Sequence, residues 1–409
     1  MSIEVEAKPE EMGMSSTQFE HLTRHMHAYV DDGRLPGVNT LVSRGGKIVY
    51  LDVYGERDME KHLPVVADTV YRFYSMSKPI TSIALMQLYE QGLLRLSDPV
   101  EKFLPAFKDM QVFAGGTNQS PVTRPATTKM TIHHLMTHMS GLTYGFMQAN
   151  VVDSIYRANG FDFGSKLGNT AETIDALAAM PLLCDPGTSW NYSHSTDVIG
   201  RIIEVISGQR LGEYLSEHVF DPLGMTDTGF HVHDDAHDRF SSNYIPHPKT
   251  GKATLLDASD TSPALKPAQF EGGGGGLMST MYDYHQFCRM LMAGGTLGEA
   301  RIIGRKTLDF MTSNHLPDGG DLVSCGTPLF SETPYDGVGF GLGFSVQLNP
   351  AITRVISSPG EFAWGGAAST AFWCDPAEDL HVIFLTQLLP SSYHPIRQEL
   401  KQLVYSSLL

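Results

Sequence analysis

The sequence predicts a mixed α/β fold in which an antiparallel sheet is built from both ends of the chain. β-Branched and aromatic runs at residues 37–43 and 47–54 flank an Arg-Gly-Gly turn, which is typical of a tight hairpin. Strand-like runs return near the other end, at residues 340–348, 371–373 and 381–385. Between these ends, apolar residues recur at spacings of three and four, which favours helices. We therefore expect one sheet that is interrupted by a helical insertion.

This interruption predicts two structural units that are not sequential along the chain. Residues 1–92 and 281–409 would form the sheet domain, and residues 93–280 would form an inserted, mostly helical domain with long loops. A chain of 409 residues is long enough for two such units. Two stretches, 114–129 and 149–170, are rich in Gly, Asn, Ser, Thr and Pro, and we interpret them as irregular loops.

Individual helices follow from their apolar faces and their capping residues. A first helix is predicted over residues 16–29, where Phe19 and Leu22 begin an apolar face. A second helix over residues 75–91 ends before Gly92, which stands where a C-terminal cap belongs. Further helices are predicted at residues 131–139, 171–180, 196–207, 211–219, 282–293 and 395–405.

The balance of charges excludes several classes of partner. The 45 acidic residues outnumber the 29 basic ones, and the resulting net charge of −16 disfavours nucleic acid and anionic membrane surfaces. Hydrophobic residues make up 42% of the chain and charged residues 18%, which excludes a disordered protein. No run of eighteen apolar residues occurs, so no membrane span is expected.

The cysteines and the first residues of the chain predict a cytoplasmic protein. Cys184, Cys288, Cys325 and Cys374 are widely spaced without a CxxC pair, which favours buried, reduced thiols over a zinc or redox site. The first ten residues carry three glutamates and no apolar segment, so they do not resemble a secretory signal. The oligomeric state, monomer or homodimer, stays open.

The sharpest chemical signal is Ser75 followed by Lys78 at a predicted helix start. A spacing of three places both side chains on one helix face. A lysine removed from water can be neutral enough to take the proton of a serine hydroxyl, which then becomes a nucleophile. The alternative is a serine N-cap with an exposed helix lysine. The apolar residues on both flanks disfavour that alternative, because they argue that Lys78 does not lie on a solvated face.

Two further elements accompany this pair. Tyr192 follows a turn and precedes a helix, in the run Tyr-Ser-His, and Trp364-Gly-Gly lies in a strand-like segment late in the chain. In this order the three elements resemble those of serine β-lactamases and penicillin-binding proteins, in which SxxK is joined by Tyr-x-Asn or Ser-x-Asn and by a Lys-Thr-Gly strand. The resemblance is strongest to the family VIII carboxylesterases, since these commonly carry Trp-Gly-Gly in place of Lys-Thr-Gly. Fungal acyltransferases of the statin pathway are also similar.

The resemblance extends from Gly37 to about Leu385 and implies a β-lactamase-like serine hydrolase fold. Four ordered landmarks support it, at residues 96–100, 131–142, 221–225 and 273–279.

The resemblance also implies roles for individual residues. Ser75 would be the acylated nucleophile, Lys78 its general base, and Tyr192 the phenol that relays protons to the leaving group. An ammonium near Tyr192 would favour its phenolate form. The backbone N–H groups of Ser75 and Ala367 would form the oxyanion hole.

The predicted substrate-binding residues are Trp364, Gly365, Gly366, His194 and Tyr144. Trp364 replaces a lysine that binds a substrate carboxylate in the relatives, and His194 replaces the asparagine of Tyr-x-Asn. Both replacements favour neutral substrates. Tyr144 is predicted to line the pocket or to pack in the core.

We therefore expect a serine carboxylesterase that hydrolyses small, neutral, short-chain acyl esters, with weak β-lactam hydrolysis as a side activity. An acyltransferase that uses an alcohol acceptor, a β-lactamase or cell-wall DD-peptidase, and a catalytically silent scaffold are the alternatives. No metal and no cofactor are expected. His133, His134 and His138 share a predicted helix, and His134 and His138 could ligate a metal, but no Glu follows in the HExxH pattern, which favours packing and hydrogen bonding. The run 231–238 could chelate a divalent ion, but a solvated, negatively charged turn is favoured. The glycine run 272–276 lacks the pattern of a phosphate loop and would let the backbone approach the acyl pocket.

Overall fold

A computed structural model describes residues 3–162, 167–326 and 335–409 of the protein. Most strands belong to one antiparallel sheet, and short two-stranded ribbons lie outside it. The strands are β1 (Gly37–Arg44), β2 (Lys47–Asp58), β3 (Leu63–Pro64), β4 (Tyr71–Arg72), β5 (Gln111–Gly116), β6 (Pro121–Pro125), β7 (Asn243–Pro246), β8 (Ala253–Asp257), β9 (Met278–Ser279), β10 (Thr296–Leu297), β11 (Ala300–Arg301), β12 (Val338–Phe340), β13 (Ser345–Gln347), β14 (Phe362–Gly365), β15 (Ala371–Asp375) and β16 (Leu380–Leu385).

Helices pack on both faces of this sheet. They are α1 (Ser16–Asp31), α2 (Ser77–Glu90), α3 (Ile132–Met136), α4 (Val151–Ala158), α5 (Thr170–Ala178), α6 (Ser195–Ser207), α7 (Leu211–Leu215), α8 (Asp221–Leu223), α9 (Met281–Met292), α10 (Arg305–Met311), α11 (Leu322–Cys325), α12 (Pro350–Thr353) and α13 (Ile396–Tyr405).

The main sheet joins the two ends of the chain. Its strands lie in the order β12, β13, β14, β15, β16, β1, β2 and β3, so the first strand pairs with the last. Met14 forms a β-bridge with Leu408, and the Leu409 N–H donates to the Gly13 carbonyl over 3.0 Å. This arrangement confirms the predicted α/β fold with a sheet built from both chain ends. The boundaries of the inserted helical domain, residues 93–280, stay a prediction.

The strands alternate between two apolar layers, as a period of two requires. Val382 and Phe384 of β16 pack with α1 and α13 on one face. Ile383 and Leu385 point to the other face, where they join the core that contains α2 and α9. Helix α2 is therefore buried on nearly all sides, between the sheet and the helix α6 that packs against it.

Three of the predicted segments differ from the structure. Residues 340–348 are not one strand: they hold the end of β12, a turn and β13, because Gly343 has φ +96° and reverses the chain. The predicted loop 114–129 contains β6, whose side chains are all exposed and give no alternating pattern. The predicted loop 149–170 contains α4, which Asn150 caps by accepting from the Asp153 N–H. Part of that loop, residues 163–166, lies outside the described residues.

Within the described residues, no helix combines the length and the apolar character needed to cross a bilayer.

Candidate active site

The turn before α2 holds Ser75 at the wall of a large cavity. Ser75 lies in the 3₁₀ turn Tyr74–Met76, and Tyr74 has φ +45°, a left-handed conformation that is rare for a residue with a side chain. The Ser77 hydroxyl donates to the Tyr74 carbonyl over 2.7 Å and accepts from the Leu277 N–H over 3.1 Å. These bonds fix a strained turn, as is common at functional sites.

Lys78 lies beside the nucleophile, as its spacing predicts. Its Nζ is 3.0 Å from Ser75 Oγ and donates to the Gly274 carbonyl over 2.7 Å. The side chain is fully buried, and this burial lowers the pKa of Lys78 to about 7, although the nearby carboxylate of Asp197 acts in the opposite direction. Near neutral pH a substantial fraction of the amine is thus uncharged and able to accept a proton.

Tyr192 completes the group of reactive side chains. Lys78 Nζ lies 4.5 Å from the centre of its ring, and the Trp364 indole N–H donates to its hydroxyl over 3.2 Å. Burial raises the pKa of Tyr192, while interactions with Ser75 and Trp364 oppose that shift. Burial therefore opposes the expected phenolate form, which stays a prediction.

Strand β14, which carries Trp364, packs against the 3₁₀ turn Tyr74–Met76 that holds Ser75. A side chain at Gly366 would overlap the Phe73 carbonyl and the Thr370 hydroxyl, and one at Gly365 would overlap the guanidinium of Arg397. The Trp364 side chain is largely buried and lines the cavity with its ring. Its N–H is bound to Tyr192, so the indole serves the reactive group as well as the predicted binding surface.

Two backbone N–H groups fit the predicted oxyanion hole. Ser75 is the second residue of its 3₁₀ turn, a position whose N–H has no acceptor inside the turn. Ala367 follows Gly366, whose own N–H donates to the Thr370 carbonyl over 2.9 Å. Both Ser75 and Ala367 line the cavity. Their role as oxyanion donors stays a prediction.

His194 and Tyr144 lie in an aromatic cluster beside Tyr192. The Tyr144 ring lies 5.2 Å from that of Tyr192 and 4.3 Å from that of His194, and both residues line the cavity. His194 Nδ1 is 2.8 Å from Asp197 Oδ2. Both predicted binding residues are thus in the site.

The cavity is larger than a short ester requires. Its volume is about 860 Å³, within the range of sites that hold drug-sized ligands. All of the predicted site residues except Lys78, which is buried behind Ser75, line it. The residues that contribute to its wall and matter below are Ser75, Tyr144, Tyr192, His194, Asp197, Phe270, Gly274, Gly275, Trp364, Gly365, Gly366, Ala367 and Arg397.

The other histidines take structural positions. His138 is buried, its Nδ1 lies 3.1 Å from Ser193 Oγ, and its ring contacts that of Tyr192. His133 pairs with His315 over 3.2 Å. Among the residues that the structure describes, no group of three or more His, Cys, Asp or Glu side chains could hold a metal ion.

Asp197 and Arg397 were not predicted for the site, and Gly274 was expected there only as part of the glycine run 272–276. The Asp197 carboxylate binds His194 and the Gly274 N–H, the Gly274 carbonyl accepts from Lys78, and Arg397 donates to the Gly366 carbonyl over 2.8 Å. Asp197 could have been found, because it stands three residues after His194 at a helix start. The glycine run predicts a close approach of the backbone but not the bond from Lys78 to the Gly274 carbonyl, and Arg397 of the last helix gives no local signal.

Comparisons with known proteins agree with this geometry. The profile of the family described as "Beta-lactamase" matches residues 22–406. Protein Rv1367c of Mycobacterium tuberculosis is 34% identical over 371 residues, which cover 88% of this chain and 88% of that protein. Esterase EstB of Burkholderia gladioli is 30% identical over 371 residues, which cover 86% of each chain.

A solved structure gives the same picture in three dimensions. EstCE1, described as a hydrolase with promiscuous acyltransferase activity, superposes with a TM-score of 0.77 at 26% identity. The superposition covers 95% of this chain and 98% of EstCE1.

Proposed function

Because the chain belongs to the beta-lactamase family, we propose that it is a serine carboxylesterase that hydrolyses neutral esters through an acyl-enzyme on Ser75. The observation that carries this proposal is the distance of 3.0 Å between Ser75 Oγ and the amine of Lys78, whose pKa burial lowers to about 7. Similarity to an esterase over most of both chains supports the same assignment and a place among the family VIII carboxylesterases.

The side chains act in a definite order in the proposed reaction. Lys78 takes the hydroxyl proton as Ser75 Oγ bonds to the ester carbonyl carbon, and the N–H groups of Ser75 and Ala367 stabilise the oxyanion. Tyr192 donates its phenol proton to the departing alkoxide and recovers one from Lys78. Water then attacks the acyl-enzyme by the reverse route, which releases the carboxylic acid and free Ser75.

Neutral esters are favoured because Trp364 stands where related enzymes place a lysine. Without that ammonium, a substrate carboxylate loses a charge-assisted contact worth about 1.5 to 3 kcal/mol. Short acyl chains fit the cavity, although its volume of about 860 Å³ also admits larger esters.

Labelling with a sulfonyl fluoride tests the proposed nucleophile. We expect mass spectrometry to find the adduct on Ser75, and we expect Ser75→Ala to lose both labelling and hydrolysis of a nitrophenyl butanoate. Ser406→Ala changes an exposed serine that donates only to the Leu403 carbonyl, and it should behave as wild type. Labelling of the Ser75→Ala protein would refute the assignment.

Acyl transfer to an alcohol is the second candidate function. The size of the cavity favours it, because an acyl chain and an acceptor alcohol fit together, and EstCE1 is described as having such a promiscuous activity. Addition of a dilute competing alcohol separates the two functions. Mainly free acid supports the esterase, and mainly the new ester supports the transferase.

A further inference from the structure

The imidazole of His194 has one bound nitrogen and one buried nitrogen without a partner. Nδ1 lies 2.8 Å from Asp197 Oδ2, and among the described residues Nε2 has no hydrogen-bond partner. The residue is 7% exposed and lines the cavity together with Ser75 and Tyr192. A buried polar atom normally has a partner. The missing partner is therefore to be sought in what fills the cavity.

Asp197 fixes the tautomer of this ring. Its Oδ1 accepts from the Gly274 N–H over 2.8 Å, and its Oδ2 faces His194 Nδ1. A carboxylate only accepts hydrogen bonds, so Nδ1 carries the proton and donates it. In the neutral imidazole, Nε2 then presents a lone pair and can only accept.

Aromatic rings prevent the imidazole from finding another partner. The rings of Tyr144, Phe161 and Tyr156 lie 4.3, 5.8 and 6.3 Å from that of His194, between centroids. Tyr144 and Phe161 meet it edge-on, so they pack the ring and hold its orientation. The orientation of Nε2 is thus set before any substrate enters.

We propose that His194 selects esters that carry a hydrogen-bond donor, a hydroxyl or N–H group, in addition to the scissile bond. Such a donor would bind Nε2 of the Asp197-oriented imidazole inside the cavity. This inference rests on the proposed esterase function and names its substrate class. A donor-free ester leaves Nε2 unpartnered, which penalises it in both the bound complex and the transition state.

Matched esters test the proposal directly. Nitrophenyl esters are prepared with a hydroxyl, a methoxy group or hydrogen at successive carbons of the acyl chain, and a second series carries the same groups in the alcohol part. Their kcat/KM values are measured in mildly alkaline buffer. We expect one position at which the hydroxy ester exceeds its methoxy partner by about tenfold. A ratio near one at every position in both series would overturn the proposal.

Two variants show whether His194 causes this preference. His194→Asn keeps an N–H for Asp197 but lacks a nitrogen at the place of Nε2, and we expect the hydroxy-to-methoxy ratio to fall to about one. Asp197→Asn still accepts from Gly274 N–H, but its amide donates to Nδ1, so Nε2 gains the proton. An Nε2–H group can donate to a hydroxyl oxygen and to a methoxy oxygen alike, so the hydroxy-to-methoxy ratio should again fall to about one. An unchanged ratio in either folded variant refutes the assignment, and either variant alone is decisive if the other fails to fold.

A control and a separate readout isolate the inference. Tyr156→Phe removes the hydroxyl of another buried side chain beside the same imidazole, but Tyr156 is not part of the cavity wall, so the hydroxy-to-methoxy ratio of this variant should equal that of wild type. Hydrolysis of the plain ester by wild type, and its loss in Ser75→Ala, tests the esterase function alone. If that hydrolysis is present and the ratio is near one, only the inference about His194 fails.

Discussion

The proposed reactivity of Ser75 depends on a buried lysine. Burial lowers the pKa of this lysine, and a nearby carboxylate partly offsets the decrease. Burial lowers the pKa of Lys78 to about 7, and Asp197 raises it against that burial. The lysine is not paired directly with this carboxylate, because the Gly274 carbonyl accepts its hydrogen bond and the Gly274 N–H binds Asp197. The backbone of one residue, Gly274, thus lies between the two side chains and binds each of them through a different peptide group.

This arrangement predicts the pH dependence of the enzyme. Below about pH 7 Lys78 becomes protonated and kcat/KM should fall, because the protonated amine cannot accept the Ser75 proton. Asp197→Asn removes the charge that favours the ammonium, so the pKa of Lys78 decreases and the acid limb of the kcat/KM profile should move to lower pH. Asp234→Asn, at a fully exposed side chain, should leave the limb in place. A shift of the limb to higher pH would contradict this reasoning.

The indole of Trp364 gives a second prediction for a single side chain. Its N–H donates to the Tyr192 hydroxyl and stabilises that oxygen when it gives up its proton to the leaving group. Trp364→Phe removes the donor and keeps an aromatic ring, and we expect kcat to fall by about tenfold with a smaller change in KM.

A parallel Val346→Ala variant is the control for a general loosening of the sheet. Val346 lies in β13 and pairs with Phe362 of β14, the strand that carries Trp364. An unchanged kcat for Trp364→Phe, or a loss confined to KM, would assign the indole to substrate binding alone.

At the scale of elements, the 3₁₀ turn Tyr74–Met76 and strand β14 pack closely together. Gly366 lies so close to the Phe73 carbonyl and the Thr370 hydroxyl that no side chain fits. We expect Gly366→Ala to displace Ala367 and to reduce kcat by about 100-fold, which is the loss seen when an oxyanion donor is removed. The midpoint temperature of thermal unfolding should change little in this variant compared with the large loss in kcat.

Gly229→Ala is the matched control, because an added methyl group there meets neighbours only at ordinary contact distances, the nearest at 3.5 Å. Wild-type kcat in Gly366→Ala would show that β14 does not position the oxyanion donor.

The elements also show what local sequence signals can and cannot predict. Helices α1, α6, α9 and α13 were predicted nearly to the residue, because each buries one amphipathic face. The ribbon β5–β6 was not, because β6 is exposed throughout and shows no alternation.

The site follows the same division. Ser75, Lys78 and Tyr192 belong to recognisable local patterns, and the structure brings them together. The glycine run 272–276 was expected at the acyl pocket, but the bond from Lys78 to the Gly274 carbonyl and the approach of Arg397 could not be predicted, since both depend on the tertiary fold.

At the scale of the whole molecule, buried histidines link stability to pH. His285 of α9 and His381 of β16 lie 2.9 Å apart, between Nδ1 and Nε2, under the main sheet. Burial lowers the pKa of His285 to about 3 and holds that of His381 well below its usual value. The unfolded chain therefore binds more protons, and the stability that neutral histidines permit is complete above about pH 6.5 and is lost as the pH falls toward 3.

Urea unfolding at about pH 7 and pH 5 measures this linkage, and each histidine should contribute a loss of up to about 1.4 kcal/mol per pH unit below its unfolded pKa. Replacement of both residues, His285→Leu with His381→Leu, should make the pH dependence less steep, because two of the buried histidines that bind protons on unfolding are removed, while others such as His133 and His138 remain. His62→Gln, at an exposed histidine, should keep the wild-type slope. An equally steep slope in the double variant would locate the acid sensitivity elsewhere.

The pairing of the first strand with the last has a consequence for the birth of the protein. Ser75 and Lys78 are synthesised before β14 and β16. At that stage the nascent chain carries the proposed nucleophile and base, but the main sheet lacks these strands. One edge of strand β1 has no pairing strand until β16 has been synthesised. The proposed hydrolysis therefore requires β14 and β16 as well as Ser75 and Lys78, and a polypeptide truncated before Trp364 should not hydrolyse esters.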